Sequence, residues 1–278
     1  MKINKEYKDR VFRLIFGNNK TFLLSLYNAL NDTAYDNPDE LDVNTIDDAI
    51  YMGMKNDVSC IISNTMSVFE QQSTYNPNMP LRELEYCAKL YGKYVIRSNK
   101  DIYGSSLIKM PAPQCYVFYN GDSEHSDLEV LKLSDAFEHY VEGYEWTVNM
   151  ININRGYNKE LLSRCKPLEE YAQLVYDIKE YRKIYTIEEA VDKAVLTCID
   201  RKGILSGMLE AHRAEVVDML LTEYNEEEHM ESVFNNGREE GRLLEIVSFV
   251  KDGICSIETG ATRAGMTIEE FEKAMQQY

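Results

Sequence analysis

The sequence predicts an α/β domain over residues 1–150, followed by an all-helical C-terminal region over 151–278. Three observations carry this. Residues 58–71 alternate with a two-residue period on either side of a turn, as a pair of antiparallel strands does. Residues 81–97 keep a helical period, with Leu81, Leu84, Cys87, Ala88, Tyr91 and Val95 on one side. From about Gly156 onward the pattern is helical almost without interruption.

Taken in order, residues 4–16 form a short helical pattern with Asp9, Phe12, Arg13 and Phe16 on one face. Gly17-Asn18-Asn19 interrupts it, and TFLLSLYNAL (21–30) resumes as a strongly apolar helix. An acidic loop containing Pro38 follows, strand character returns over 45–54, and the hairpin comes next, its turn near Asn64 and Thr65. Pro80 suits the first turn of the 81–97 helix. Pro111 and Pro113 introduce CYVFY (115–119), a strand closed by the turn signal Asn120-Gly121. Residues 128–137 and 147–153 are expected as peripheral strands or linking segments. The helical region divides into 158–165, 167–183, 187–202, 203–223 and 238–251, and Glu226-Glu227-Glu228 reads as a solvated charge run. In SIETGATRAGMTIEEFEKAM, Gly265 stops one helix, and Thr267 with Glu270 three residues on caps another. With Arg263 and Lys273 as its only cations, this pair is expected to be a packing hairpin rather than a DNA-reading helix-turn-helix.

Composition narrows the function classes. Hydrophobic content of 44% and charged content of 28% are ordinary for a globular protein. No apolar run approaches the ~20 residues that span a bilayer, and the basic start MKINKEYKDR leads into no apolar stretch, so neither a membrane span nor a secretory leader is expected. The six cysteines lie far apart and make no zinc-type spacing with the four histidines, which fits buried thiols in a reducing cytoplasm. The net charge of −17 divides into −8 for residues 1–150 (14 basic, 22 acidic) and −9 for the rest (16 basic, 25 acidic). Such a chain does not coat nucleic acid electrostatically. Contact with DNA would need a local basic patch and a divalent cation.

The hairpin holds the candidate chemistry. A turn at Asn64-Thr65 sets Asp57 opposite Gln72, Ser59 opposite Glu70 and Ile61 opposite Val68, all on one side of the sheet. Asp57 and Glu70 are then diagonal neighbours, roughly 7–8 Å apart at Cα, a spacing over which two carboxylates can share one hard cation. Solvated strand ends also carry such residues, and a one-residue register change would scatter the set. On the helix that follows, Arg82, Tyr86, Lys89, Lys93 and Arg97 gather on the side away from the apolar stripe. That stripe is either a solvated face or a track for a phosphate backbone, so Arg82, Lys89, Lys93 and Arg97 are the candidate DNA-binding residues.

The order helix, three strands through residue 72, helix, strand resembles the αβββαβ core of the PD-(D/E)XK restriction-endonuclease-like superfamily. More narrowly, the chain resembles the Rpn family of recombination-promoting nucleases and transposases. The match rests on DRVFRLIFG (9–17), Asp57, FEQQ (69–72), LRELEYCAKLY (81–91), PAPQCYVFYNG (111–121) and LSDAF (133–137). AVDKAVLTCIDRKGIL (190–205) and AEVVDMLLTEYNEEEH (214–229) extend it into the helical half. The resemblance implies an endodeoxyribonuclease that uses Mg²⁺ or Mn²⁺ to cleave DNA in recombination or element mobility. It makes Asp57 the carboxylate of the PD element, Glu70 the acid of (D/E)XK, and Gln72 the residue standing where most members have Lys. Asn56 replaces Pro. Asp9 occupies the place of a further acidic residue on the first helix. Asp57 and Glu70 would hold the cation, the Gln71 backbone carbonyl is a candidate third ligand, and Gln72 would orient a water. Arg82 or Lys89 would have to supply the charge that Gln72 lacks. The other readings are a nuclease-fold protein that only binds DNA or protein, motivated by the acidity and by Gln72, and a helical adaptor. Oligomeric state is not legible.

Overall fold

The computed structural model describes residues 11–44, 57–139 and 141–277. Asp9, Asn56 and the strand expected over 45–54 lie outside them. The described chain divides into two compact units, Met1–Leu221 and Thr222–Tyr278.

The first unit is built on a mixed six-stranded sheet: β1 (Asp42–Val43), β2 (Val58–Ile62), β3 (Thr65–Gln72), β4 (Ala112–Tyr119), β5 (Leu128–Lys132) and β6 (Thr147–Asn152), in the order β1-β2-β3-β4-β6-β5. β2 and β3 form the expected antiparallel hairpin, with Ser63 at φ 53° supplying the positive-φ residue that a tight turn requires. The turn is Ser63-Asn64, one residue earlier than expected, so Val58 pairs with Phe69, Ser59 with Val68 and Ile61 with Met66. Each pairing has slipped by two residues, and a two-residue slip leaves every side chain on its predicted face.

β3 crosses to parallel β4 through α3 (Met79–Arg97), whose first turn carries Pro80. Met66, Val68, Cys115, Val117, Tyr119, Val148 and Met150 form one face of the sheet and pack against Met79, Tyr86, Cys87 and Leu90 of α3. The opposite face carries Phe69, Tyr116 and Phe118, stacked in pairs 5.9 and 6.2 Å apart. α1 (Val11–Gly17) and α2 (Lys20–Asn31) are separated at Gly17–Asn19 as expected, and the Asn19 side chain caps α2 by accepting from the Phe22 amide. Phe12 of α1 lies 5.5 Å from Phe118 and 5.7 Å, edge-on, from Tyr171 of α5 (Lys166–Arg182).

That last contact corrects the domain boundary. The helices after the sheet were expected to stand apart from residue 151, yet α4 (Lys159–Arg164), α5, α6 (Ile187–Asp200) and α7 (Ser206–Ala211) belong to the first unit. A sheet with apolar residues on both faces needs a second cover; Phe12 of α1 lies between Phe118 of the sheet and Tyr171 of α5, and Tyr171, Leu174 and Ile178 are all buried. β6 is likewise not peripheral. It sits between β4 and β5, parallel to the first and antiparallel to the second.

The second unit holds α8 (Arg213–Lys251) from Thr222 onward, α9 (Ile257–Ala264) and α10 (Ile268–Gln277). α8 is a single helix through 224–237, where no helix was expected. The hairpin after it is a packing element, as expected: Ile246, Val247, Ala261 and Phe271 form its core. Gly265 ends α9 at φ 71°, and Thr267 and Glu270 cap α10 reciprocally. Among the described residues, no helix is long and apolar enough to cross a membrane.

Candidate active site

Continuing the β2–β3 register one step past Val58–Phe69 sets Asp57 directly opposite Glu70. Direct opposition brings side chains closer than the diagonal arrangement expected from the sequence. The Asp57 amide donates to Glu70 Oε1 at 3.2 Å, and the Gln71 amide donates to Asp57 Oδ2 at 2.8 Å. Each carboxylate therefore accepts a backbone N–H at the base of the other strand. Both are buried, Asp57 to 9% exposure and Glu70 to 1%. They are not the solvated strand-end acids of the alternative reading.

Gln72 lies on the same face, and its Nε2 donates to Met79 Sδ at 2.9 Å. The Gln71 side chain points to the opposite face, where Nε2 donates to Asn120 Oδ1 at 2.9 Å. A role for Gln71 toward the carboxylate face is left to its backbone.

α3 supplies the wall over the pair. Arg82 Nη2 sits 3.9 Å from Glu70 Oε2 and donates to the Tyr86 hydroxyl at 3.0 Å. Burial, and then the nearby Glu70 charge, push the Tyr86 hydroxyl up to about 12, so it remains protonated. Arg82 is thus drawn inward rather than along a basic track. Arg97, at the far end, pairs with Asp42 at 3.4 Å, while Lys89 and Lys93 are half-buried. The apolar stripe is also rotated from its predicted azimuth, because Leu81 is 50% exposed and Ala88 is exposed. The face that packs is Met79, Glu83, Tyr86, Cys87 and Leu90.

Glu83 is the residue the sequence reading missed. It is fully buried, and among the described residues no N–H or O–H donor meets either carboxyl oxygen, which leaves the Cys115 thiol as a weak neighbour. Burial pushes it up to about 8, with Asp57 adding to the rise and the Arg82 guanidinium and Cys115 thiol opposing it. Its signal was available. Glu83 stands four residues after Met79 and three before Tyr86, on the helical stripe that ends in Cys87 and Leu90.

Comparison of the chain with protein-family models, with curated proteins and with solved structures found no match.

A divalent cation fits the site's geometry in a restricted way. Among the described residues, no group of three or more His, Cys, Asp or Glu side chains gathers closely enough to hold a metal. What is present is a pair of facing carboxylates, each also accepting one backbone N–H. This donor set suits Mg²⁺, which keeps several of its waters and takes one or two carboxylates, better than Zn²⁺ or a multi-ligand Ca²⁺ cage.

Proposed function

We propose that this protein is a divalent-cation-dependent phosphodiesterase acting on DNA, of the kind the PD-(D/E)XK resemblance implies. The observation that carries the reading is the buried Asp57–Glu70 pair, opposed across two strands and flanked by Gln72 and Arg82. Two buried carboxylates placed side by side repel each other, and burial makes that repulsion costly. Each accepting a backbone N–H offsets part of the cost, and the Arg82 guanidinium offsets more.

Asp57 and Glu70 are the residues that would hold Mg²⁺, which when bound supplies an acidified water and neutralises charge on a phosphate. The other roles fall to the chain's own side chains. Arg82, poised between Glu70 and Tyr86, is positioned to meet the phosphate charge that the usual Lys would meet. Gln72 carries a side-chain amide on the carboxylate face, where it donates to the Met79 sulfur and would orient a water beside the carboxylates.

A second reading, a nuclease fold kept as a binding module, has one observation in its favour: both carboxylates already serve as backbone acceptors. Incubating supercoiled plasmid and single-stranded circular DNA with Mg²⁺, with Mn²⁺ and with a chelator separates the two. Nicking or linearisation that needs the metal supports the nuclease. Intact DNA in all conditions leaves only the binding module.

A further inference from the structure

Beyond Gln72, the carboxylate face continues into an aromatic cluster that the proposed chemistry does not use. Gln72 pairs with Tyr119 on β4, so their side chains lie side by side on the α3 face. The His125 ring meets the Tyr119 ring edge-on at 4.8 Å, and Tyr75 stacks on His125 at 4.7 Å with the planes 24° apart. Tyr119 is fully buried and backs the cluster, whereas Tyr75 is 38% exposed.

The cluster is held from several sides. His125 Nδ1 lies 3.1 Å from Glu129 Oε1, which also accepts from the Ser126 amide, and the His125 carbonyl accepts from Asn152. The Asn120 amide donates to the Gln72 carbonyl at 3.0 Å. Gly121 packs so tightly on the loop after β3 that a Cβ there would fall 2.0 Å from the Ser73 carbonyl oxygen. The loops following two adjacent parallel strands are therefore locked together. Ligands of open α/β sheets bind at this end of the strands. By strand spacing, the stack lies on the order of 10–15 Å from the carboxylates.

A half-exposed aromatic ring fixed flat on a second ring has already lost the rotamer freedom that binding would otherwise cost. Bases inside a duplex have both faces covered by their neighbours, so such a ring can take only an unpaired one. We propose that Tyr75, held on His125, is a stacking platform for an unpaired nucleobase, which makes single-stranded or frayed polynucleotide the substrate class of the neighbouring carboxylate site. The location of the scissile phosphate rests on the phosphodiesterase reading; the stack itself does not.

The test measures fluorescence anisotropy of the full chain with three labelled ligands of equal length: a single-stranded oligonucleotide, its abasic counterpart and a duplex. Ca²⁺ replaces Mg²⁺ to slow cleavage. Tyr75→Ala is expected to weaken single-strand binding roughly 5- to 150-fold, the usual effect of removing one stacked aromatic. It should leave the abasic and duplex ligands unchanged, and Tyr75→Phe should retain wild-type affinity. Equal binding of the single strand by wild type and Tyr75→Ala overturns the proposal, as does an equal loss on the abasic ligand, which would make Tyr75 simple loop packing. Asp57→Asn separates this from the cleavage reading. If neither wild type nor Asp57→Asn cuts DNA, yet both bind single strands in a Tyr75-dependent way, the stack stands and the nuclease falls.

Discussion

Replacing Glu83 with Gln should stabilise this protein, and by an amount that grows with pH. The folded protein holds the Glu83 proton more tightly than the unfolded chain does, because burial raises the group from an ordinary 4.5 to about 8. Stability is therefore at its full value below pH 4.5 and falls as pH rises toward 8. From 4.5 to pH 7 is two and a half pH units, at ~1.4 kcal/mol each, or about 3 kcal/mol of forfeited stability. Gln has the same shape and no proton to lose, so Glu83→Gln should match wild type near pH 4 and exceed it by about 3 kcal/mol at pH 7. Urea unfolding at several pH values gives the difference, in which titrating groups away from Glu83 cancel. Trp146, the only tryptophan, packs against the core beneath α3 and reports the first unit by fluorescence. A variant that is no more stable than wild type at pH 7, or a difference that does not change between pH 5 and 8, would refute the buried, poorly solvated carboxyl.

Lys89 and Lys93 are half-buried on α3, and if they track phosphates, their joint replacement by Ala should weaken DNA binding alike for all sequences and flatten its salt dependence by roughly two units of slope. Anisotropy across a salt series reads this, and an unchanged slope would make them a solvated face. Ending the chain after residue 154 removes the buried Tyr171, Leu174 and Ile178 of α5, and with Tyr171 the ring that packs on Phe12, so that fragment should be unfolded by circular dichroism, whereas a fragment ending at Leu221 should fold. Gly121→Ala forces a Cβ onto the Ser73 carbonyl and should cost about 2–3 kcal/mol of stability, read by thermal unfolding, because backbone rather than a flexible side chain must move.

The sheet hairpin was legible because its alternation fixes faces even when register is misjudged. Placing the turn one residue late moved each pairing by two, and Asp57, Glu70 and Gln72 still shared a side. The α3 face was harder. Leu81 and Ala88 looked like core by residue type, but the surface that α3 covers is partly a polar site, so Glu83 and Tyr86 took inward positions that a hydrophobic count assigns to solvent. The domain boundary failed for another physical reason. Helical periodicity after residue 156 says what the segments are, not which apolar surface they cover, and the partner of Tyr171 is Phe12, far away in sequence. The Tyr75–His125 stack joins two loops 50 residues apart, and no local pattern announces it.

The central claim is that Asp57 and Glu70 act together on a phosphodiester, and Asp57→Asn tests it most directly. Asn keeps an oxygen to accept from the Gln71 amide, so it removes the charge while retaining that hydrogen bond, which Ala would lose. Single-turnover cleavage of single-stranded DNA in Mn²⁺, with Trp146-monitored stability as the control for folding, is the measurement. The expected result is a loss of roughly 100-fold or more in rate, with stability near that of wild type. Cleavage by a folded Asp57→Asn protein at the wild-type rate would contradict it.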